Sequence, residues 1–286
     1  MSKRASLSLT RALGDAVQSL PQAWIGAWLA LIALWAFTVF GPHAAMHLGL
    51  FAHMHRVGHL VLVIILAIFK LMSLGALYRA LLFGKNARRE GLGLGGVQFH
   101  MPELRLFAAG LIIGLFILLI AVTLFVVFAI AFNLSGLAEG APSTLMAMHS
   151  VFHDPHGVAW AFVVYMVAAW LLLLFLVVKF SLFHAATIAE RRMVTLNALG
   201  LSSGNVGKLF VGIIVTCLPL VITGALLFHH AHRHFVLSPQ TPAFDTPHVP
   251  FILHAILAAV AVFIVMPFGA GFFASAYQQI VKSRTA

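Results

Sequence analysis

The sequence predicts an all-α membrane protein, a bundle of six transmembrane helices with both ends of the chain in the cytoplasm. Three observations carry that expectation. Of the 286 residues, 62% are hydrophobic and 8% charged, and the mean hydropathy is +1.04, outside the balance of a water-soluble domain. Apolar runs long enough to cross a hydrocarbon core of about 30 Å recur from one end of the chain to the other. The basic residues gather in alternate connections between those runs, the distribution that sets orientation in a bilayer.

Taken in order, residues 5–20 place Leu9, Leu13, Val17 and Leu20 at spacings of four and three, which predicts a short amphipathic helix ahead of the membrane. Pro21 marks the turn into the first span, 24–40, where Trp24, Trp28 and Trp35 suit interfacial anchoring. This run is too long for a signal-peptide core and reads as a retained span. Gly41-Pro42 can end that helix and start another. A second span follows at 57–83, and then a glycine-rich connection from Gly84 to Glu103. Its Gly91-Leu92-Gly93-Leu94-Gly95-Gly96 run follows a membrane helix instead of a strand and lacks a P-loop lysine, so it predicts a flexible connection with a short interfacial turn.

The third span, 106–132, holds no ionisable residue and is expected to face lipid or apolar neighbours. A polar loop over 133–156 leads to the fourth span, 158–183. Glu190-Arg191-Arg192, an amphipathic stretch from Met193 to Leu201 and a turn at Ser202-Ser203-Gly204-Asn205 connect it to the fifth, 209–228, in which Pro219 introduces a kink. The sixth, 251–277, is interrupted at Pro267 and Gly269. The chain, 1–286, thus reads as one membrane domain, with a weak internal period of three helical hairpins in series.

With the N-terminus inside, Lys3, Arg4, Arg11, Arg79, Lys85, Arg88, Arg89, Arg105, Lys179, Arg191, Arg192, Lys208, Lys282 and Arg284 are cytoplasmic. Only Arg56 and Arg233 are outside. The expected location is the inner membrane of a bacterium. The high net positive charge is explained by topology, which disfavours nucleic acid as a partner and leaves the lipid bilayer and other membrane proteins. Cys217, the single cysteine, excludes an internal disulfide and a cysteine-based zinc site.

The connector Ala189-Glu190-Arg191-Arg192, followed by Leu196-Asn197-Ala198-Leu199, Ser203-Gly204-Asn205 and a new span from Lys208-Leu209-Phe210, resembles that of bacterial six-helix membrane proteins of unassigned role. Those proteins are related to the membrane domain attached to some glycerophosphodiester phosphodiesterases. Gly95-Gly96, Glu103-Leu104-Arg105-Leu106 and the amphipathic start before Pro21 fit the same pattern. The resemblance implies a polytopic helical membrane domain and carries no catalytic residue across.

The chemistry-bearing residues are histidines, and the topology puts 14 of the 16 on or near the outer face, all but His100 and His184. The densest run is His229-His230-Ala231-His232-Arg233-His234. Spacings of four place His43 with His47, His55 with His59 and His149 with His153 on shared helix faces, where two imidazoles can hold one metal. With Met46, Met54, Met146 and Met148 in the same segments, His229, His230 and His232 complete a candidate ligand set for copper or zinc. The bland alternative is that outer loops, depleted in Lys and Arg, tolerate neutral imidazoles at the headgroup boundary without any ligand.

A di-iron oxygenase is disfavoured because the paired HxxHH boxes are missing and those sites face the cytoplasm. A bis-histidine haem has only His59 with His254 to draw on. Lys70, deep within the second span, is the other residue set apart, because an intramembrane cation is costly and often functional. Its alternative is to snorkel to the headgroups. No acidic partner is expected within any span, which argues against a proton-coupled carrier. The expected role is therefore a non-enzymatic scaffold or accessory subunit, with metal handling or small-solute transport by the outer His/Met clusters as the alternative.

Overall fold

A computed structural model describes residues 7–47, 55–137, 146, 156–236 and 248–285. The chain folds into α1 (Leu9–Gln18), α2 (Leu20–His47), α3 (His55–Phe83), α4 (Met101–Leu134), α5 (Ala159–Phe180), the short α6 (Phe183–Ala189) and α7 (Ala198–Leu201), α8 (Val206–Val236), α9 (His248–Val260) and α10 (Met266–Thr285). Tight 3₁₀ turns occupy Gly84–Asn86 and Leu94–Gly96, and a π-helical segment, Ala261–Val265, joins α9 to α10. Six of these helical stretches are long and apolar enough to cross a membrane, and no strand occurs among the described residues. The expected all-α, six-span membrane architecture is present.

Small residues bring α2 and α3 together. Ala23, Ala27, Ala30 and Leu31 recur at helical spacing on the buried face of α2, opposite Ser73, Ala76, Leu77 and Ala80 of α3. A Cβ on Gly26 would stand 2.5 Å from that of Ala80, so the backbones meet at a distance only glycine permits there. Close approach of this kind replaces the hydrophobic drive that lipid cannot supply between membrane helices. Ser73 adds a hydrogen bond across the pair, its hydroxyl donating to the Ala30 carbonyl at 3.1 Å.

Proline accounts for much of what ties α2 to the last span. A proline donates no N–H, so the carbonyl four residues earlier loses its helical partner, and in a membrane such an acceptor needs another donor. Pro267 frees Phe263, whose carbonyl accepts from the Trp24 indole at 2.7 Å. The π-helical segment ends at Val265, two residues before this proline. Pro42 sits inside α2, which continues through Gly41-Pro42 to His47 instead of ending there. It frees Thr38, and His254 Nε2 lies 3.3 Å from that carbonyl. A carbonyl only accepts, so this nitrogen carries the proton. Trp35 donates to the Ala255 carbonyl at 3.1 Å. Two of the three tryptophans expected as interfacial anchors therefore act as donors between the first and last spans.

The other elements are arranged around that pair. On α1, Ala12 and Ala16 are buried and Leu9 and Leu13 pack on the core, while Val17 stays exposed. Its Asp15 accepts from Ser275 of α10 at 2.7 Å, which fixes α1 across the end of the bundle. The stretch from Met193 is helical only over Ala198–Leu201, with turns before it. Elsewhere, Phe162 of α5 meets the stacked Phe128 and Phe132 of α4 edge to face and joins the two helices. These two helices are peripheral: 11% of each apolar window is buried, against 33% for α2.

Candidate functional site: a buried arginine–glutamate pair under a glycine hook

The end of the bundle that carries α1 also carries most of the described charge. Lys208 donates to the Leu7 carbonyl at 2.6 Å, and Arg284 to the Gly200 carbonyl at 2.6 Å. Lys179 Nζ reaches the Ser203 hydroxyl at 3.2 Å. Arg105 donates to the Arg191 carbonyl, and Arg191 pairs with Glu90. Glu190 accepts from Arg192 at 2.7 Å and from the Tyr277 hydroxyl at 3.2 Å. These charges tie connectors to helix ends.

One pair differs from the rest in being sealed off. Arg79, in the penultimate turn of α3, and Glu103, in the first turn of α4, form an ion pair whose side chains are 2% and 0% exposed. Three local features put Glu103 there. Pro102 is tolerated in the first turn of a helix because the N–H it lacks has no helical acceptor. At the third helical position the carboxylate reaches back to accept the His100 N–H at 2.9 Å, capping an otherwise unpaired donor. Gly75, one turn before Arg79, leaves its face bare, and a Cβ there would collide with the carboxylate.

Arg79 also donates to the Gly91 carbonyl at 2.8 Å, so the same guanidinium holds the glycine-rich connection. That connection turns back as a hook, with Gly91, Gly95 and Gly96 at positive φ. The Gly93 N–H bonds to the Gln98 side chain across its base. Gly96 is buried where a Cβ would meet Ala76 of α3 at 2.6 Å and the Ala27 backbone of α2 at 3.1 Å. The expected short turn is present, but it is packed onto two helices and not a free connection. Beside Arg79, the Tyr78 and His184 rings stack at 5.9 Å and fasten α3 to α6.

The pair leaves two charges mutually neutralised in an apolar setting, where each alone is costly. Arg79 Nε and Gln98 Nε2 are the two buried side-chain atoms without a hydrogen-bond partner among the described residues. A cavity of about 230 Å³ beside the pair is lined by Arg79, Glu90, Arg105 and Arg191 among others.

No protein-family model, curated protein or solved structure matches the chain.

The residues singled out in the sequence lie elsewhere. His149 and His153 fall outside the described residues. His43, His47, His55, His59, His230 and His232 lie on described helical backbone, and their side chains are outside the described set. His229 is exposed on α8, and no group of three or more His, Cys, Asp or Glu converges among the described residues. Of the two histidines considered for haem, His254 is engaged with the Thr38 carbonyl. Lys70 is exposed midway along α3 and has no ion pair among the described residues. Glu103, at the buried start of α4 and ahead of the apolar run 106–132, pairs with Arg79 and not with Lys70.

Proposed function

We propose that the chain is a scaffold or accessory subunit of a bacterial inner membrane, with the α1 end in the cytoplasm. The orientation rests on the basic residues gathered at that end. The connector's resemblance to six-helix membrane domains of unassigned role supports the same reading. The observation that carries the functional assignment is the uneven burial of the bundle. Helices α2, α3 and α10 close on one another, while α4 and α5 project an apolar surface away from them. Along α5 that surface is a groove of about 590 Å³, with Met166, Val167, Trp170 and Leu174 among its lining residues. A groove of this size along one helix offers a seat for a partner helix.

Photocrosslinking in native membranes tests this. A photoreactive residue replacing Trp170 should give one discrete protein adduct, and the same residue replacing Leu119, equally lipid-facing on α4, should not. Val167→Trp should remove the adduct by filling the groove. Lipid adducts alone at both positions would sink the proposal.

A second reading, metal handling, is favoured by the helix ends opposite α1. There α2 runs through His43 and His47, α3 starts at His55, and α8 continues through His229, His230 and His232. The backbone thus collects these histidines at one end of the bundle. Detergent-purified protein exposed to Cu and Zn should retain stoichiometric metal, and replacing His229, His230 and His232 together should abolish retention. No retention by the unaltered chain excludes this reading.

A further inference from the structure

We infer that the groove between the start of α2, the end of α3 and the hook is a binding site for an anionic phospholipid. The cavity is about 1160 Å³, walled by Trp24, Ile25, Trp28 and Leu94, with Lys85 and Arg88 at its rim. Ile25 and Leu94 are 77% and 83% exposed, so the walls present bare apolar surface suited to an acyl chain. The groove sits where α2 enters its span and α3 leaves its own, and it therefore opens at headgroup depth.

Charge selects the headgroup. Lys85 and Arg88 are exposed and make no hydrogen bond or ion pair with the described residues. The carboxylates nearest in sequence are already committed, Glu90 to Arg191 and Glu103 to Arg79. The rim thus carries two uncompensated cations beside an apolar channel, the complement of a phosphate bearing alkyl chains. Trp28 supplies a third contact. Its indole nitrogen lies against Gly95, 3.1 Å from where a Cβ there would stand, and has no acceptor among the described residues. It is placed to donate to a phosphate or ester oxygen.

The site is lipid-shaped and not a pocket for a free anion, because the cations occupy only the rim and the remaining side chains of the wall are apolar apart from Gln22, whose amide is engaged with the Ala80 carbonyl. The hook completes the groove, so its seating by Arg79 also shapes the lipid site.

Native mass spectrometry of the full chain, released from nanodiscs of mixed phosphatidylglycerol and phosphatidylcholine, tests the inference. At about one kilocalorie per mole for each basic residue near an anionic surface, two cations correspond to roughly thirty-fold preferential retention of phosphatidylglycerol. Lys85→Gln with Arg88→Gln should reduce that preference to near unity. The charge-matched pair Arg11→Gln with Lys282→Gln, neither of which lines the groove, should preserve it. Ile25→Trp should lower retention of the lipid by filling the acyl channel, without altering charge. Equal retention of the two lipids, equal loss in both charge-matched pairs, or displacement of the lipid by millimolar inorganic phosphate would each overturn the assignment.

Discussion

Glu103→Ala should destabilise the protein by about 3–5 kcal/mol, the cost of leaving a buried charge without its partner. Arg79 is 2% exposed and cannot recover water without lifting the hook, because its second nitrogen holds the Gly91 carbonyl. The substitution also removes the acceptor of the His100 N–H and opens the start of α4. Glu103→Gln keeps the shape and the cap and loses the charge, so its cost should be smaller, about 1–3 kcal/mol. Arg79→Met with Glu103→Leu removes both charges together, and it should be less destabilised than the sum of the two single changes. Unfolding in mixed detergent and denaturant, followed by tryptophan fluorescence, measures all five variants, the two single changes Arg79→Met and Glu103→Leu included. Additive costs, or a Glu103→Ala variant within about 0.5 kcal/mol of the parent, would show that the pair is not coupled in a buried setting.

What was legible in advance follows from how far each signal reaches along the chain. A span is a local property: the third and fourth apolar windows have mean hydropathies of 3.3 and 2.8, and no tertiary contact is needed to see them. The partner of a charge is not local. Arg79 and Glu103 are 24 residues apart, and each reads by itself as a topological residue at the end of a span. The signals that pointed to Glu103 were present but short: a proline before it at a helix start, and a glycine one turn before Arg79. Pro42 and Pro267 likewise announce that the carbonyls of Thr38 and Phe263 need donors, while nothing in the linear pattern says that His254 and Trp24 supply them. The stretch from Met193 misled for a different reason. Its apolar spacing suits a helix, yet Arg191 at φ +52° and the turns after it keep the backbone irregular as far as Asn197.

Gly96→Ala should cost about 2–5 kcal/mol, and the reason separates packing from backbone conformation. At φ +81° any side chain pays a left-handed penalty of roughly 1–2 kcal/mol. The new methyl would also stand 2.6 Å from Ala76 Cβ and 3.2 Å from the Gly26 carbonyl oxygen, where neither helix has a flexible side chain to move aside. Forcing a methyl into so close a contact adds about 1–3 kcal/mol. Gly91→Ala provides the comparison, because Gly91 has nearly the same φ, +78°, with nothing within 4 Å of where its Cβ would stand. It should show the conformational cost alone. If the two variants unfold at the same denaturant concentration, the hook is turned but not seated, and Arg79 then holds a loop instead of a packed element. If Gly96→Ala is the worse by the margin expected, the α2–α3 contact, the ion pair and the wall of the lipid groove are one structural unit. Damage at Gly96 should then weaken phosphatidylglycerol retention even though both rim cations are untouched.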